Sequence, residues 1–103
     1  MNDDAPLGTF EEQVMLAVLR TKRDAYGMTV RREIEDVTGR EIAVGAVYAT
    51  LDRLEAKKLV SSKRATVDGV SRRLFAVTAS GVRALTESKA MRERLWSGVE
   101  LRV

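Results

Sequence analysis

The stretch from Val44 to Glu55 has the spacing of a helix with two different faces. One face is apolar and recurs at helical intervals, as in a helix that packs on a core; its residues are Val44, Val47, Leu51 and Leu54. The other face has little bulk near its start and an arginine further along; its residues are Gly45, Ala46, Ala49, Thr50 and Arg53, with Tyr48 at its edge. Small side chains let a backbone approach a nucleic-acid groove or a partner helix closely. The simpler alternative is an alanine-rich surface helix, because alanine is the best helix former.

Basic residues concentrate in the same part of the chain. The net charge is +3 with a pI of about 9.6. Residues 43–77 hold seven basic side chains against three acidic ones, whereas residues 1–12 hold four acidic side chains and no basic one. A local basic excess is typical of a surface that binds a polyanion. A solvated basic face is the common alternative.

The composition argues against an enzyme and against a cofactor. The 103 residues contain no cysteine and no histidine, which removes thiolate metal sites and the commonest general base. The sequence also lacks a glycine-rich phosphate loop and a clear pair of catalytic carboxylates. No apolar run approaches the roughly 18 residues of a membrane span, and no signal-peptide pattern is present. We therefore expect one small cytoplasmic domain without membrane contact.

Helical patterns precede the two-faced stretch. Residues 1–8 are expected to be a flexible acidic leader. The main folded domain is expected over residues 9–77. Thr9 and Glu12 fit a capping box at the start of a first helix. Thr29 is a plausible cap for a second helix over residues 30–38, and Gly39 suits its end. A short link then leads into the third helix, which gives a helix-turn-helix pattern.

A β-hairpin is predicted after the third helix. Residues 59–67 and 70–77 have strand character and flank Asp68-Gly69, a strong two-residue turn signal. A turn at that point places Val60 opposite Val77, Ser62 opposite Phe75, and Arg64 opposite Arg73. Facing arginines destabilise a hairpin unless an anion lies beside them or their long side chains splay apart. The first option predicts that Arg73 binds an anion and that its removal does not lower stability.

Residues 78–103 are predicted to form a terminal helix that continues to the end of the chain. Its apolar residues extend so late in the sequence that they have little core of their own to cover, and a second copy of the chain is the simplest partner. The first helix is also apolar nearly all round. The predicted dimer interface comprises Met15, Leu19, Met91, Leu95, Trp96 and Val99.

These elements predict an α+β fold, mostly α: a winged helix-turn-helix of three helices and a two-stranded β-hairpin wing, with a C-terminal dimerisation helix. Three groups of residues resemble signatures of the PadR-like family of transcriptional regulators. The third helix contributes Gly45-Ala46-Val47-Tyr48, Leu51, Arg53-Leu54-Glu55 and Leu59-Val60. The start of the second helix contributes Tyr26-Gly27. The end of the wing contributes Arg72-Arg73-Leu74-Phe75, Val77-Thr78 and Gly81.

The sequence departs from the family pattern at several positions. Ala43 and Ala46 stand where the family commonly has Ser and Thr, Ala49 stands where it has Pro, and Lys58 stands where it has Gly. The resemblance implies a homodimeric repressor in the short form of the family, with a single C-terminal helix. Some members of the family bind aromatic compounds at the dimer interface, so the resemblance also implies a small aromatic effector as a candidate partner of this chain.

Double-stranded DNA is therefore the expected partner. The predicted DNA-binding residues are Gly45, Ala46, Tyr48, Ala49, Thr50, Arg53, Lys63, Arg64, Arg72 and Arg73. Those on the third helix are expected in a groove and those on the wing at phosphates. For Tyr48, the alternative is a half-buried ring that packs the third helix on the second. For the whole chain, the alternative is a winged helix that binds proteins, although such modules lack a basic wing.

Overall fold

The computed structural model describes residues 6–102. They form helix α1 (Thr9–Thr21), a 3-10 turn (Lys22–Asp24), helices α2 (Gly27–Thr38) and α3 (Val44–Ala56), strands β1 (Val60–Val67) and β2 (Val70–Val77), and helix α4 (Ala79–Trp96). This order confirms the predicted winged helix-turn-helix with a C-terminal helix. Most of the expected leader, residues 1–5, lies outside the described residues, and residues 6–8 have no regular secondary structure.

One apolar core joins the first three helices to the hairpin. Its larger members are Val14, Met15, Val18, Val30, Ile34, Val47, Leu51, Leu54, Val60 and Phe75. The apolar stripe of α3 is thus confirmed, with Val44 at its partly exposed end. Met15 is completely buried, which corrects its placement in a dimer interface. The exposed apolar residues of α1 are instead Leu16 and Leu19, because Met15 lies on the side of α1 that faces the core.

The predicted helix starts are shifted in two places. Gly8 is the N-cap of α1, and its amide donates to Glu11 Oε1 at 2.9 Å, so Glu11 rather than Glu12 reaches back. Helix α2 starts at Gly27, and Thr29 Oγ1 accepts from the amide of Tyr26 at 3.0 Å from inside the first turn. In both cases a side chain three residues beyond the cap satisfies a free amide.

The hairpin has the predicted register. Val60 pairs with Val77, Ser62 with Phe75, and Arg64 with Arg73. Asp68 and Gly69 have φ angles of 52° and 78°, the left-handed values that a type I′ turn requires. The sequence did not reveal a further contact: the Phe75 amide donates to the Ala25 carbonyl at 2.8 Å. Strand β2 therefore lies between β1 and the segment that precedes α2.

Helix α4 begins where predicted but ends early. Thr78 Oγ1 accepts from the Gly81 amide at 3.0 Å and donates to the Lys58 carbonyl at 2.8 Å, which ties the helix to the end of α3. The helix ends at Trp96, and Gly98 follows with a φ of 76°. The prediction of helix to the end of the chain is therefore wrong, because a left-handed glycine terminates it and leaves Val99 outside. Within residues 6–102, none of the helices is both long enough and apolar enough to cross a membrane.

Candidate nucleic-acid interface

Helix α3 presents an open face of small residues. Gly45, Ala46 and Ala49 are exposed. A Cβ built on Gly45 would have no described atom within 4 Å. Ala43, the N-cap, makes no side-chain capping hydrogen bond in the described part of the chain. A flat surface can therefore reach the backbone at the start of α3 without displacing a side chain.

Thr50 does not belong to this open face. Its exposed fraction is 2 %, because it lies beside the apolar stripe rather than opposite it. Its hydroxyl oxygen accepts a hydrogen bond from Arg53 Nη2 at 3.0 Å. The prediction that Thr50 enters a groove is therefore wrong. Arg53 itself is exposed, one turn further along the helix.

Tyr48 packs at the junction of α3 and α2. A Cβ added to Gly27 would lie 2.1 Å from Tyr48 Cζ, so the ring occupies the space that a side chain at position 27 would need. The packing alternative for Tyr48 describes this arrangement, yet 38 % of the residue is exposed. Gly27 is thus required by the site, and its signal in the sequence was its place in the Tyr-Gly pair.

Arg73 turns inward from the wing to α3. Its Nη1 donates to Asp52 Oδ1 at 2.8 Å, and its Nη2 donates to Glu55. Its Nε donates to Ser62 Oγ at 3.2 Å, and its Cζ lies 4.7 Å from the centre of the Phe75 ring. The guanidinium is therefore neutralised by carboxylates of the same chain.

The pKa shifts of Glu55 and Arg73 agree with these contacts. Hydrogen bonds from Ser62 and then Arg73 hold the pKa of Glu55 below its usual value, with burial opposing them. The hydrogen bond to Asp52 is the main cause that raises the pKa of Arg73, with Glu55 adding to it. Two carboxylates of the same chain thus neutralise Arg73, so its charge does not require an external anion. The like-charge argument for its neutral removal did not include these two ion pairs.

The other predicted wing cations have different surroundings. Lys63 and Arg64 are exposed. Arg72 is partly buried, and its guanidinium carbon lies 4.5 Å from the centre of the Tyr26 ring. Three cations on the wing are thus left without a carboxylate within ion-pair distance among the described residues. They lie in the hairpin that follows α3 directly.

The predicted dimer residues mostly lie at the surface. Leu19, Leu95, Trp96 and Val99 are exposed and Met91 is partly buried. An ion pair between Glu12 and Arg92 joins α1 to α4. Helix α4 otherwise leaves its last apolar side chains uncovered by the described residues. Four of the predicted interface residues are therefore exposed apolar side chains, whereas Met15 is buried in the core.

Most of the chain matches a known protein family. Residues 15–87 match the model of the transcriptional regulator PadR-like family. The chain belongs to that family. A curated relative, transcriptional regulator Rv3488 of Mycobacterium tuberculosis, is 42% identical over 57 residues, which are 55% of this chain and 53% of that protein. The match therefore spans about half the length of that relative, 53%.

Solved structures have the same fold. A PadR family transcriptional regulator from Eggerthella lenta is 27% identical with a TM-score of 0.66, covering 84% of this chain and 80% of that one. RosR from H. salinarum is 26% identical with a TM-score of 0.69, covering 91% of this chain and 81% of that one. This PadR-like chain is thus a transcriptional regulator by family.

Proposed function

We propose that this PadR-like regulator binds double-stranded DNA in a sequence-specific manner, as a homodimer that represses transcription. The open face of α3 carries the proposal. Gly45, Ala46 and Ala49 leave its backbone accessible, and Tyr48 and Arg53 flank them. A helix of this kind fits the major groove, whose width admits one helix with short side chains at the contact.

The wing supplies the sequence-independent part of binding. Lys63, Arg64 and Arg72 are the cations proposed to contact phosphates, since no carboxylate of the described residues neutralises them. Arg73 is removed from this set. Contacts of this type make affinity fall steeply with salt, because each one releases condensed counterions.

The decisive experiment places a charge on the open face. Ala49→Glu puts a carboxylate where a groove would lie, and Ala79→Glu makes the same change at the exposed start of α4 as a matched control. Both variants should fold, because both positions are exposed. Fluorescence anisotropy should show that Ala49→Glu loses binding to DNA from upstream of the gene by at least about tenfold, and that Ala79→Glu does not.

A wild-type protein that folds but shows no salt-dependent retention on any duplex would contradict DNA binding. That result would favour the alternative of a winged helix that binds other proteins. Repression has its own readout: a reporter under the bound promoter should rise when the protein is absent. A reporter that falls would identify an activator instead.

The homodimer is proposed from the uncovered apolar residues of α4 and α1. Trp96 is 59 % exposed, which is unusual for a large aromatic residue with no partner to cover it. Sedimentation should show a dimer at micromolar concentration that Trp96→Ala weakens. Val37→Ala, which truncates an exposed apolar residue on α2, should leave it unchanged. A wild-type monomer at tens of micromolar would exclude the dimer.

The aromatic effector stays a prediction from the family resemblance. Trp96 and Leu95 would offer it an apolar wall at the subunit interface. A planar aromatic compound should then quench Trp96 fluorescence and release DNA at the same concentration. An absence of quenching would limit Trp96 to a packing role, and quenching without release would show that the compound binds but does not control DNA binding.

A further inference from the structure

Three consecutive residues before and at the start of α2 contact strand β2 or helix α3. The Ala25 carbonyl accepts from the Phe75 amide of β2 at 2.8 Å. The Tyr26 ring lies 4.5 Å from the guanidinium carbon of Arg72 on β2. Gly27 leaves the space that the Tyr48 ring of α3 fills. This segment therefore connects the wing to the helix that carries the open face.

Arg72 is held in an unusual way within this junction. One face of its guanidinium is stacked on the Tyr26 ring, where the ring quadrupole attracts a cation. Its Nε is buried and has no hydrogen-bond partner in the described part of the chain. Arg73, the next residue, also lies over an aromatic ring, that of Phe75, but all three of its guanidinium nitrogens donate to protein acceptors.

The charge of Arg72 is left for an external anion, because none of the ion pairs among the described residues includes it. A buried N–H without a partner costs free energy, and a charged donor costs more. The stack orients the planar guanidinium, so less side-chain entropy is lost when a ligand oxygen binds to it. Phosphate oxygens are acceptors that arginine binds with such geometry.

We infer that Tyr26 is a positioning residue for DNA binding, and that its ring holds Arg72 in place for a backbone phosphate. The inference rests on the proposed function and deepens it. Tyr26 contacts the DNA through Arg72 only. Arg72 thereby differs from Lys63 and Arg64, which reach solvent with no aromatic support among the described contacts.

The test compares three single variants and one double variant on a fluorescently labelled duplex of random sequence across a salt series. Tyr26→Leu removes the ring and keeps an apolar side chain, Tyr26→Phe keeps the ring, and Arg72→Ala removes the cation. Arg72→Ala should make the slope of log K against log salt shallower by about 0.9 per subunit. Tyr26→Leu should approach that value and Tyr26→Phe should retain the wild-type slope. Tyr26→Leu added to Arg72→Ala should have no further effect on the slope.

A second measurement needs no DNA. The side-chain protons of Arg72 should show an upfield ring-current shift by NMR in the wild type and in Tyr26→Phe, and lose it in Tyr26→Leu. Thermal melts would establish that each variant is folded.

Failure of DNA binding and failure of the role of Tyr26 would give different results. Wild-type protein that does not bind the duplex overturns the proposed function and the inference with it. Wild-type binding with an unchanged slope in folded Tyr26→Leu overturns only the role of Tyr26. The same conclusion follows if Tyr26→Leu weakens binding equally with and without Arg72, because the ring would then act independently of the arginine.

Discussion

The two strands of the wing carry the same charge but differ in what surrounds it. Strand β1 contains Lys63 and Arg64, and β2 contains Arg72 and Arg73. Both cations of β1 are exposed, whereas both cations of β2 are partly buried. The cause is position, because β1 is an outer strand while β2 lies between β1 and the Ala25 segment. Whether a basic residue is available to a ligand thus depends on its neighbours in space.

The largest expected effect on stability is at Gly81 of α4, which packs against the end of β2. A Cβ on Gly81 would lie 2.2 Å from the Leu59 carbonyl oxygen and 2.6 Å from Val77 Cγ1. Gly81→Ala should therefore lower the free energy of unfolding by about 1–3 kcal/mol in urea melts, as overpacking does. Gly45→Ala is the matched control, since it adds the same methyl group in open space and should cost nothing. Equal stability of the two variants would show that α4 moves freely.

The next effect compares the two facing arginines. Arg73→Ala leaves Asp52 and Glu55 without their partner, and we expect it to lower the free energy of unfolding by about 0.5–1 kcal/mol, because these ion pairs are partly exposed. Arg64→Ala removes the exposed arginine opposite and should change stability by less than about 0.5 kcal/mol. If both changes cost the same, β1 and β2 do not differ as described.

For the salt dependence of DNA binding, we expect Arg64→Ala to have the larger effect and Arg73→Ala the smaller one. Arg64→Ala should make the slope of log K against log salt shallower by about 0.9 per subunit, because one phosphate contact is lost. Arg73→Ala should leave the slope near that of the wild type at temperatures where the variant is folded. A slope that falls only in Arg73→Ala would mean that its ion pairs open in the complex.

A smaller effect is expected on how the free energy of unfolding depends on pH. Hydrogen bonds from Ser62 and Arg73 lower the pKa of Glu55 in the folded state. Its contribution to stability is therefore fully present above the unfolded pKa of about 4.3, and it is lost as the pH falls through the lower folded value. Urea melts in that range should show that the wild type loses more stability with falling pH than Glu55→Gln does. Parallel pH curves would show that Ser62 and Arg73 do not lower the pKa of Glu55.

The smallest expected effect is at the turn into β1. Lys58 has a φ of 64°, a left-handed value that glycine adopts without strain. Lys58→Gly should raise the free energy of unfolding by a few tenths to about 1 kcal/mol, since relief of strain exceeds the added entropy of the unfolded chain. The melting temperature of Lys57→Gly, a neighbour with a φ of −82°, should fall instead.

Several family-like residues turn out to support the architecture. Thr78 caps α4, Gly81 lets that helix approach Leu59, and Glu55 binds Arg73. The departure at Lys58 falls at a left-handed position, which explains why glycine suits it. The resemblance therefore identifies how the wing is attached to α3. Two further departures, Ala46 and Ala49 where the family pattern has Thr and Pro, lie on the open face of α3.

The sequence by itself determined the local features. The hairpin register follows from the Asp68-Gly69 turn, because a two-residue loop fixes every pair above it. The apolar stripe of α3 and the end of α2 at Gly39 likewise depend on residues close together in the chain. Helical and strand periods are visible without any long-range contact.

Only the tertiary structure decided which side chains are available. The sequence placed Arg73 opposite Arg64, but its partners Asp52 and Glu55 are 21 and 18 residues away along the chain. In the same way, packing buried Met15 and left Leu16 exposed, although both are apolar. Charge and hydrophobicity are properties of one residue, whereas ion pairing and burial are properties of the groups that the fold brings beside it.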